Sequence, residues 1–304
     1  MRNTTEVKAL PIWRSIMFVP AVSDRFVDSA LRQPADVLQI DLEDSVGPDQ
    51  KQFARERLPA IADRFAAAGR DVVVRVNRPW RTLVRDLEAA VRKSVLAVSL
   101  PKVPDASFVQ SAAEVLAELE REAGLAVGHT RIIAMVEDAE GLANINDIAA
   151  AHSRMVGLIA GAEDLAVSLH MAVDDDGLYM PNVLAVAAAR RAGIIPIGFI
   201  GTVATFADPE DFRARIRRAR RLGFDAAFCI HPKQVPIINE EFAAQAADIE
   251  FARALVAEFE REVKGGRAAF TFRGRMVDLP IIDQARRNPW LRLRERFTAS
   301  IPTC

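Results

Sequence analysis

The chain has 304 residues, half of them hydrophobic and 27% charged, enough to build a large core in one or two domains. Forty basic residues against 41 acidic leave a net charge of −1, which removes the bulk electrostatic case for binding nucleic acid or a membrane surface. Two cysteines, Cys229 in an apolar run and Cys304 at the end, form no disulfide framework and fit a reducing, cytoplasmic setting.

From the start, MRNTTEVKALPIWRSIMFVP lacks both an unbroken apolar stretch and a small-residue cleavage site, so no signal peptide is expected. Short apolar runs then recur: SIMFVP (15–20), DVLQID (36–41), VVVRV (72–76), VLAVSL (95–100), RIIAMV (131–136), MVGLIA (155–160), IIPIGF (194–199) and AAFCI (226–230). They are continuous rather than alternating, as strands covered on both faces are. Between them lie patterns rich in Ala, Glu, Arg and Leu, including 49–68, 106–124 and 208–223, which predict helices; Asp208-Pro209 starts one, and Gly124 and Gly223 end two. Eight strand–helix units predict a (β/α)8 TIM barrel over residues 1–236. An open doubly wound sheet is the alternative, but no G-x-G-x-x-G or G-x-x-x-x-G-K-[ST] occurs. The longest uncharged run, 192–207, is broken by glycine and proline and too short to span a bilayer. Residues 237–304 change character: a helix over 240–263, a Lys264-Gly265-Gly266 break and a β-like piece at 268–272 predict a C-terminal helical lid.

In a barrel of this kind chemistry gathers at the C-terminal ends of the strands. The second run delivers Asp41, Glu43 and Asp44, the third Arg75 and Asn77, the fourth Lys102, the fifth Glu137 and Asp138, the sixth Glu163 and Asp164, and the eighth His231. Each has a plainer reading: acidic pairs favour helix starts, Arg75 can pair with Asp41, Lys102 can be a solvated rim lysine, and His231 can order its own loop. Taken together, carboxylates from three strands around a basic residue suit a hard divalent cation with oxygen ligands. Histidines and cysteines are too scattered for a zinc site, and there is no G-x-S-x-G elbow.

The segments RSIMFVP, DVLQIDLEDSVGPDQK, VVVRVN, LPKV, AMVEDAEG, GLIAGAEDLA, GFDAAFCIHPKQV and GRMVDLPIIDQAR follow in order the motif series of the citrate lyase β-subunit-like proteins. The chain therefore resembles that branch of the HpcH/HpaI aldolase superfamily, which includes malyl-CoA, citramalyl-CoA and citryl-CoA lyases, over roughly residues 13–287. The resemblance implies that Glu137 and Asp164 bind Mg²⁺, with Mn²⁺ as a possible substitute. It implies that Arg75, Asp278 and Asp41 are catalytic, Arg75 gripping the 2-oxoacid and Asp278 moving a proton at the methyl carbon of acetyl-CoA. Glu43, Asp44, Arg14 and Arg25 are implied in substrate binding, with the backbone of Gly161, Ala162 and Glu163 cradling a carboxylate. Where the family has Glu-Thr this chain has Glu137-Asp138, Ser29 replaces a lysine, and GFIGTV stands in place of an Asp-Gly-Val motif.

The expected function is Mg²⁺-dependent cleavage of a 3-hydroxyacyl-CoA thioester to acetyl-CoA and a 2-oxoacid, in a homotrimer or homohexamer. A pyruvate-type aldolase, a malyl-CoA thioesterase and a non-catalytic CoA-thioester binder are the alternatives.

Overall fold

All eight apolar runs form strands, because Val, Ile, Leu and Ala with no polar alternation can be buried on both faces. The computed structural model describes residues 10–204, 207–243, 246–265 and 269–286. The strands are β1 (Ser15–Pro20), β2 (Val37–Asp41), β3 (Asp71–Arg75), β4 (Ala97–Leu100), β5 (Arg131–Val136), β6 (Met155–Ala160), β7 (Ile195–Pro196) and β8 (Ala227–Cys229). They run parallel in the order β7-β6-β5-β4-β3-β2-β1-β8. A single parallel bridge, Ile197 to Ala226, joins the two ends and closes the barrel. The Gly198 N–H donates to the Ala226 carbonyl at 2.8 Å and the Asp225 N–H to that of Pro196 at 3.1 Å along the same seam.

Alternate residues fill the inside. Ile16, Val37, Val73, Ala97, Ile133, Val156, Ile195, Ile197, Ala226 and Phe228 pack together there, with Trp13 at the base. The Trp13 indole N–H donates to Asp71 at 2.7 Å. The opposite strand faces pack under the helices in one larger cluster. Those helices are α1 (Asp24–Leu31), α2 (Lys51–Ala67), α3 (Trp80–Ala90), α4 (Ala106–Glu122), α5 (Ala139–Ala143), α6 (Ile145–Ala149), α7 (Ala162–Leu169), α8 (Asp175–Ala192), α9 (Pro209–Leu222) and α10 (Gln234–Phe242). Asp208 caps α9, its side chain accepting from the amides of Glu210 and Asp211, and Gly223 closes it in a left-handed conformation.

Two sequence expectations shift. The barrel unit ends at Phe242, not 236, because α10 covers β1 and β8 as the last helix of the ring. The single helix expected over 240–263 is divided between α10 and α11 (Ala246–Lys264).

The second unit, from Ala243 on, has its own small core of Leu255, Phe259, Val277 and Ile282. Its β-like piece is one arm of a hairpin, β9 (Phe270–Phe272) against β10 (Arg275–Val277), followed by α12 (Leu279–Arg286). Arg273 and Gly274 both take positive φ, which is what a two-residue hairpin turn demands. Part of the predicted 268–272 piece and residues 287–304 lie outside the described residues. Among the described residues no helix is long and apolar enough to cross a membrane.

Candidate active site

At the C-terminal ends of the strands the barrel opens into a cavity of about 700 Å³. Its lining includes Phe18, Arg25, Asp41, Asp44, Arg75, Met135, Glu137, Ile159, Gly161–Asp164, Phe199, Thr202, Phe228 and His231.

The Arg75 guanidinium is the hub of one side. It ends β3 in register with Asp41 at the end of β2, so the two side chains leave neighbouring strands together. Nε and Nη2 of Arg75 donate to the two Asp41 oxygens at 2.7 and 2.8 Å. Nη1 reaches Asp44 at 3.0 Å and Glu43 at 2.9 Å. The guanidinium lies 4.7 Å from the centre of the Phe18 ring. Three of its N–H bonds donate to Asp41 and Asp44 and Nη1 also pairs with Glu43, so the fork expected to grip substrate is occupied by Asp41, and an Nη2 N–H remains for a ligand.

Asp41 itself is 1% exposed, and its oxygens also accept from the amides of Glu43 and Ser45. Burial would raise its pKa, but the Arg75 hydrogen bonds and charge outweigh burial and hold it below the usual carboxylate range. Both Asp41 oxygens are thus engaged by Arg75 and the loop amides while the residue still lines the cavity. Glu43 goes the other way: burial first, and the neighbouring Asp44, push it up to about 8. Near neutral pH one of the three clustered carboxyls thus keeps its proton, which relieves much of the repulsion among them. The loop is anchored by Lys51, whose ammonium donates to the carbonyls of Leu42 and Glu43 at 2.8 and 2.7 Å.

On the other side Glu137, at the end of β5, is 6% exposed. Burial pushes its carboxyl up to about 7, against the hydrogen bond it accepts from the Lys102 backbone N–H at 2.9 Å. A β-carbon at Gly161 would lie 2.6 Å from Glu137 Cγ, so only glycine lets the carboxylate lie under the start of α7. Asp164, in the first turn of α7, is held at 3.1 Å by the Lys102 ammonium. The N-terminus of α7 begins at Gly161 with no side-chain cap, leaving the amides of its first turn to face an anion. Glu163 turns aside to accept from the Thr202 hydroxyl, which ties the loop after β7 to this helix.

The adjacent acid has a different job. The Asp138 side chain accepts from the Gly141 N–H at 2.7 Å as the cap of α5. Threonine and aspartate are both good caps, so the exchange of Thr for Asp at this position keeps the structural role. Of the pair Glu137-Asp138, one residue therefore serves the cavity and the other the helix.

Arg25 and Ser29 are among the residues lining the cavity. Arg14 is not. It precedes β1 at the opposite end of the barrel, forming a two-pronged pair with Asp36 at 2.7 and 2.8 Å. A residue at a strand's start cannot reach a mouth built from strand ends, so Arg14 is withdrawn from the substrate-binding set. The His231 Nδ1 accepts from the Lys233 N–H at 3.2 Å, which orders its loop. Gln234, which the sequence did not single out, accepts from the amides of Ile230 and His231 and donates to the Val203 carbonyl. It thus fixes the loops after β7 and β8 to each other, and only its place three residues after His231 could have marked it. Asp278 lies in the second unit, half-buried, its carbonyl accepting from the Ile282 N–H at the start of α12.

Among the described residues no three His, Cys, Asp or Glu side chains converge as a ready metal shell. Glu137 and Asp164 offer two oxygen donors, with room left for water or substrate oxygens, a set that fits Mg²⁺ and not zinc.

A family model described as HpcH/HpaI aldolase/citrate lyase matches residues 14–232. The citrate lyase subunit beta of Leuconostoc mesenteroides subsp. cremoris is 31% identical, over 90% of this chain and 91% of its own length. The L-malyl-CoA/beta-methylmalyl-CoA lyase of Rhodobacter capsulatus is also 31% identical, over 88% of this chain and 89% of its own. The protein CitE of Mycobacterium tuberculosis, solved with magnesium, acetoacetate and coenzyme A, superposes with a TM-score of 0.69. It is 30% identical, and the match covers 92% of this chain and 97% of that one.

Proposed function

The chain belongs to the HpcH/HpaI aldolase/citrate lyase family, and on that premise we propose that it is a Mg²⁺-dependent carbon–carbon lyase cleaving a 3-hydroxyacyl-CoA to acetyl-CoA and a 2-oxoacid. The observation that carries the proposal is that Lys102 touches both Glu137 and Asp164, the latter in the uncapped first turn of α7, in the cavity that Arg75 also lines.

Glu137 and Asp164 would hold the metal, which when bound supplies positive charge at the carboxylate and carbinol oxygens of the substrate. The first-turn amides of α7 bind the substrate carboxylate, and the remaining Nη2 N–H of Arg75 steadies the oxygen that becomes a ketone. As the carbinol hydroxyl gives up its proton to solvent and the carbon–carbon bond breaks, the O–H electron pair forms the new carbonyl and the carbon–carbon pair passes to the thioester enolate. Asp278, matched through RGRMVDLP, is the group proposed to return a proton to the enolate carbon. Arg25 and Ser29, which line the cavity, are the residues proposed to meet the CoA portion.

The acyl specificity follows from charge. The inner end of the cavity, Phe18, Met135, Ile159 and Phe228, carries none. Five acidic side chains and two guanidiniums line the cavity, and Arg75 is already committed to three carboxyl groups. A second carboxylate on the oxoacid would meet no spare cation there, so malyl- and citramalyl-CoA are expected to be cleaved in preference to citryl-CoA. The test is a panel of the three thioesters, each with and without Mg²⁺. No Mg²⁺-dependent cleavage of any would sink the lyase reading, and thioester hydrolysis without a free 2-oxoacid would favour a thioesterase.

Two substitutions probe the parts. Arg75→Lys keeps a charge but loses the planar fork that Asp41 requires. It is expected to lower kcat/KM roughly 10²-fold, the usual scale for one charge-stabilising donor, and a wild-type value would leave Arg75 a merely structural partner. Asp278→Asn is expected to bind Mg²⁺ and 2-oxoacid normally while losing both thioester cleavage and exchange of the acetyl-CoA methyl protons with deuterated water. Exchange at the wild-type rate would move the proton to His231. A cytoplasmic homotrimer or homohexamer completes the proposal on the family resemblance, and light scattering measures its mass.

A further inference from the structure

Three residues other than glycine take a positive φ among the described residues: Lys102, His170 and Arg273. His170 ends a helix and Arg273 makes a hairpin turn, both ordinary places for that conformation. Lys102 is at neither. With φ 50 just past β4, it holds a β-carbon where glycine would rest without strain. Backbone strain of this kind persists where the surroundings enforce it, and here they do. The next amide, of Val103, donates to the Met135 carbonyl at 3.0 Å, and the Arg78 Nε donates to the Lys102 carbonyl at 3.4 Å.

The strained turn has one result: a single residue touches both candidate metal ligands. Its backbone N–H meets Glu137 Oε2 at 2.9 Å, and its ammonium meets Asp164 Oδ1 at 3.1 Å. The pair with Asp164 is 38% and 42% exposed at its side chains, and so exposed an ion pair adds little to stability. Folding alone gives no reason to keep a lysine, rather than a glycine, in this backbone conformation.

We propose that Lys102 is a built-in placeholder for the cation: its amide fixes Glu137 permanently, while its ammonium neutralises Asp164 until a divalent ion displaces it. The two carboxylates are thereby kept assembled in the metal-free protein, where they would otherwise repel each other. The consequence is competition. Metal entry requires the ammonium to leave Asp164, so the lysine weakens Mg²⁺ binding while preorganising the site for it.

The inference rests on Glu137 and Asp164 being the Mg²⁺ ligands. It is tested by calorimetric Mg²⁺ titration of metal-stripped wild type, Lys102→Met and Lys102→Gly, with no substrate present. Both variants keep the backbone N–H and lose the ammonium. Each is expected to bind Mg²⁺ about two- to tenfold more tightly than wild type, the range that loss of one partly exposed charge allows. The glycine variant, relieved of strain, is also expected to melt above the methionine variant in EDTA. Wild type that binds no Mg²⁺ would overturn the metal reading itself. Wild type that binds, with Lys102→Met binding equally or more weakly, would overturn the placeholder alone.

Discussion

Glu137→Gln and Asp164→Asn are each expected to cut Mg²⁺-dependent thioester cleavage by roughly 10³-fold or more, since each removes one of two protein oxygens that would hold the charge-stabilising ion. Neither is expected to unfold the protein. The Glu137 side chain is buried, and a glutamine oxygen can still accept the Lys102 N–H. The sign of its stability effect follows from its pKa. A carboxyl raised from 4.5 to about 7 in the folded state costs stability increasingly as pH rises from about 4.5, where the unfolded chain ionises, and the cost is complete above about 7. Metal-free Glu137→Gln is therefore expected to melt above wild type at pH 6 and by a larger margin at pH 8, the difference vanishing toward pH 4. Thermal melts in EDTA beside Mg²⁺-dependent assays check both halves. Full activity in either variant would remove that residue from the metal site, and a large drop in melting temperature would make it a structural acid instead.

The largest expected loss of stability lies at the other end of the barrel. Arg154, before β6, makes a two-pronged bond at 2.7 Å to Glu120 in the last turn of α4. Their side chains are 3% and 0% exposed. Glu120 also accepts from the amides of Gly128 and Thr130, both at 2.7 Å. Burial would raise the Glu120 pKa, but Arg154 and those amides outweigh it and hold it below 4.5. The pair's contribution is therefore present above that pH and fades as the carboxylate is protonated in acid. Arg154→Met leaves a buried carboxylate without its counter-charge, an error of about 3–5 kcal/mol. On a chain of this size that corresponds to a fall in melting temperature on the order of 10 °C. The deficit is expected to shrink toward pH 4, where the orphaned carboxyl takes up a proton. A pH-independent loss would mean that packing of the arginine stem, not charge, carries the effect.

The strands were readable because a barrel strand is covered on both faces, so apolar residues run on without alternation, and Asp208 and Gly223 carry helix-end chemistry in their own side chains. Which end of a strand a residue occupies was less plain where sequence neighbours diverge. Arg14 stands one residue before β1 and pairs with Asp36 at the base, whereas Pro20 closes the same strand at the mouth. Glu137 and Asp138 are adjacent and identically charged, yet a helix start takes one and leaves the other. Composition cannot show that Arg75 gives most of its donors to protein, since that depends on β2 and β3 ending in register. Lys102 read as a solvated rim lysine because nothing in LPKV announces a positive φ. The division of the expected 240–263 helix and the Arg273-Gly274 turn both turn on backbone geometry that the apolar pattern does not encode.

The short seventh strand bears on how the barrel breathes. β1 and β2 are registered over five residue pairs, whereas β7 meets β6 over two and reaches the β8 side through one bridge. Pro196, half of β7, has no amide hydrogen to give. Exchange with deuterium is therefore expected to be uneven around the ring. The amides of β2 and β3 are expected to hold their protons until the whole barrel unfolds, and those of Ile197, Gly198 and Asp225 to lose them through far more frequent local openings. An opening there widens the mouth beside Phe199 and Val203 and leaves the β2, β3 and β5 wall, with Asp41, Arg75 and Glu137, undisturbed. On the proposed function, a bulky product leaves past a yielding seam while Arg75 and Glu137 stay in register for the next turnover.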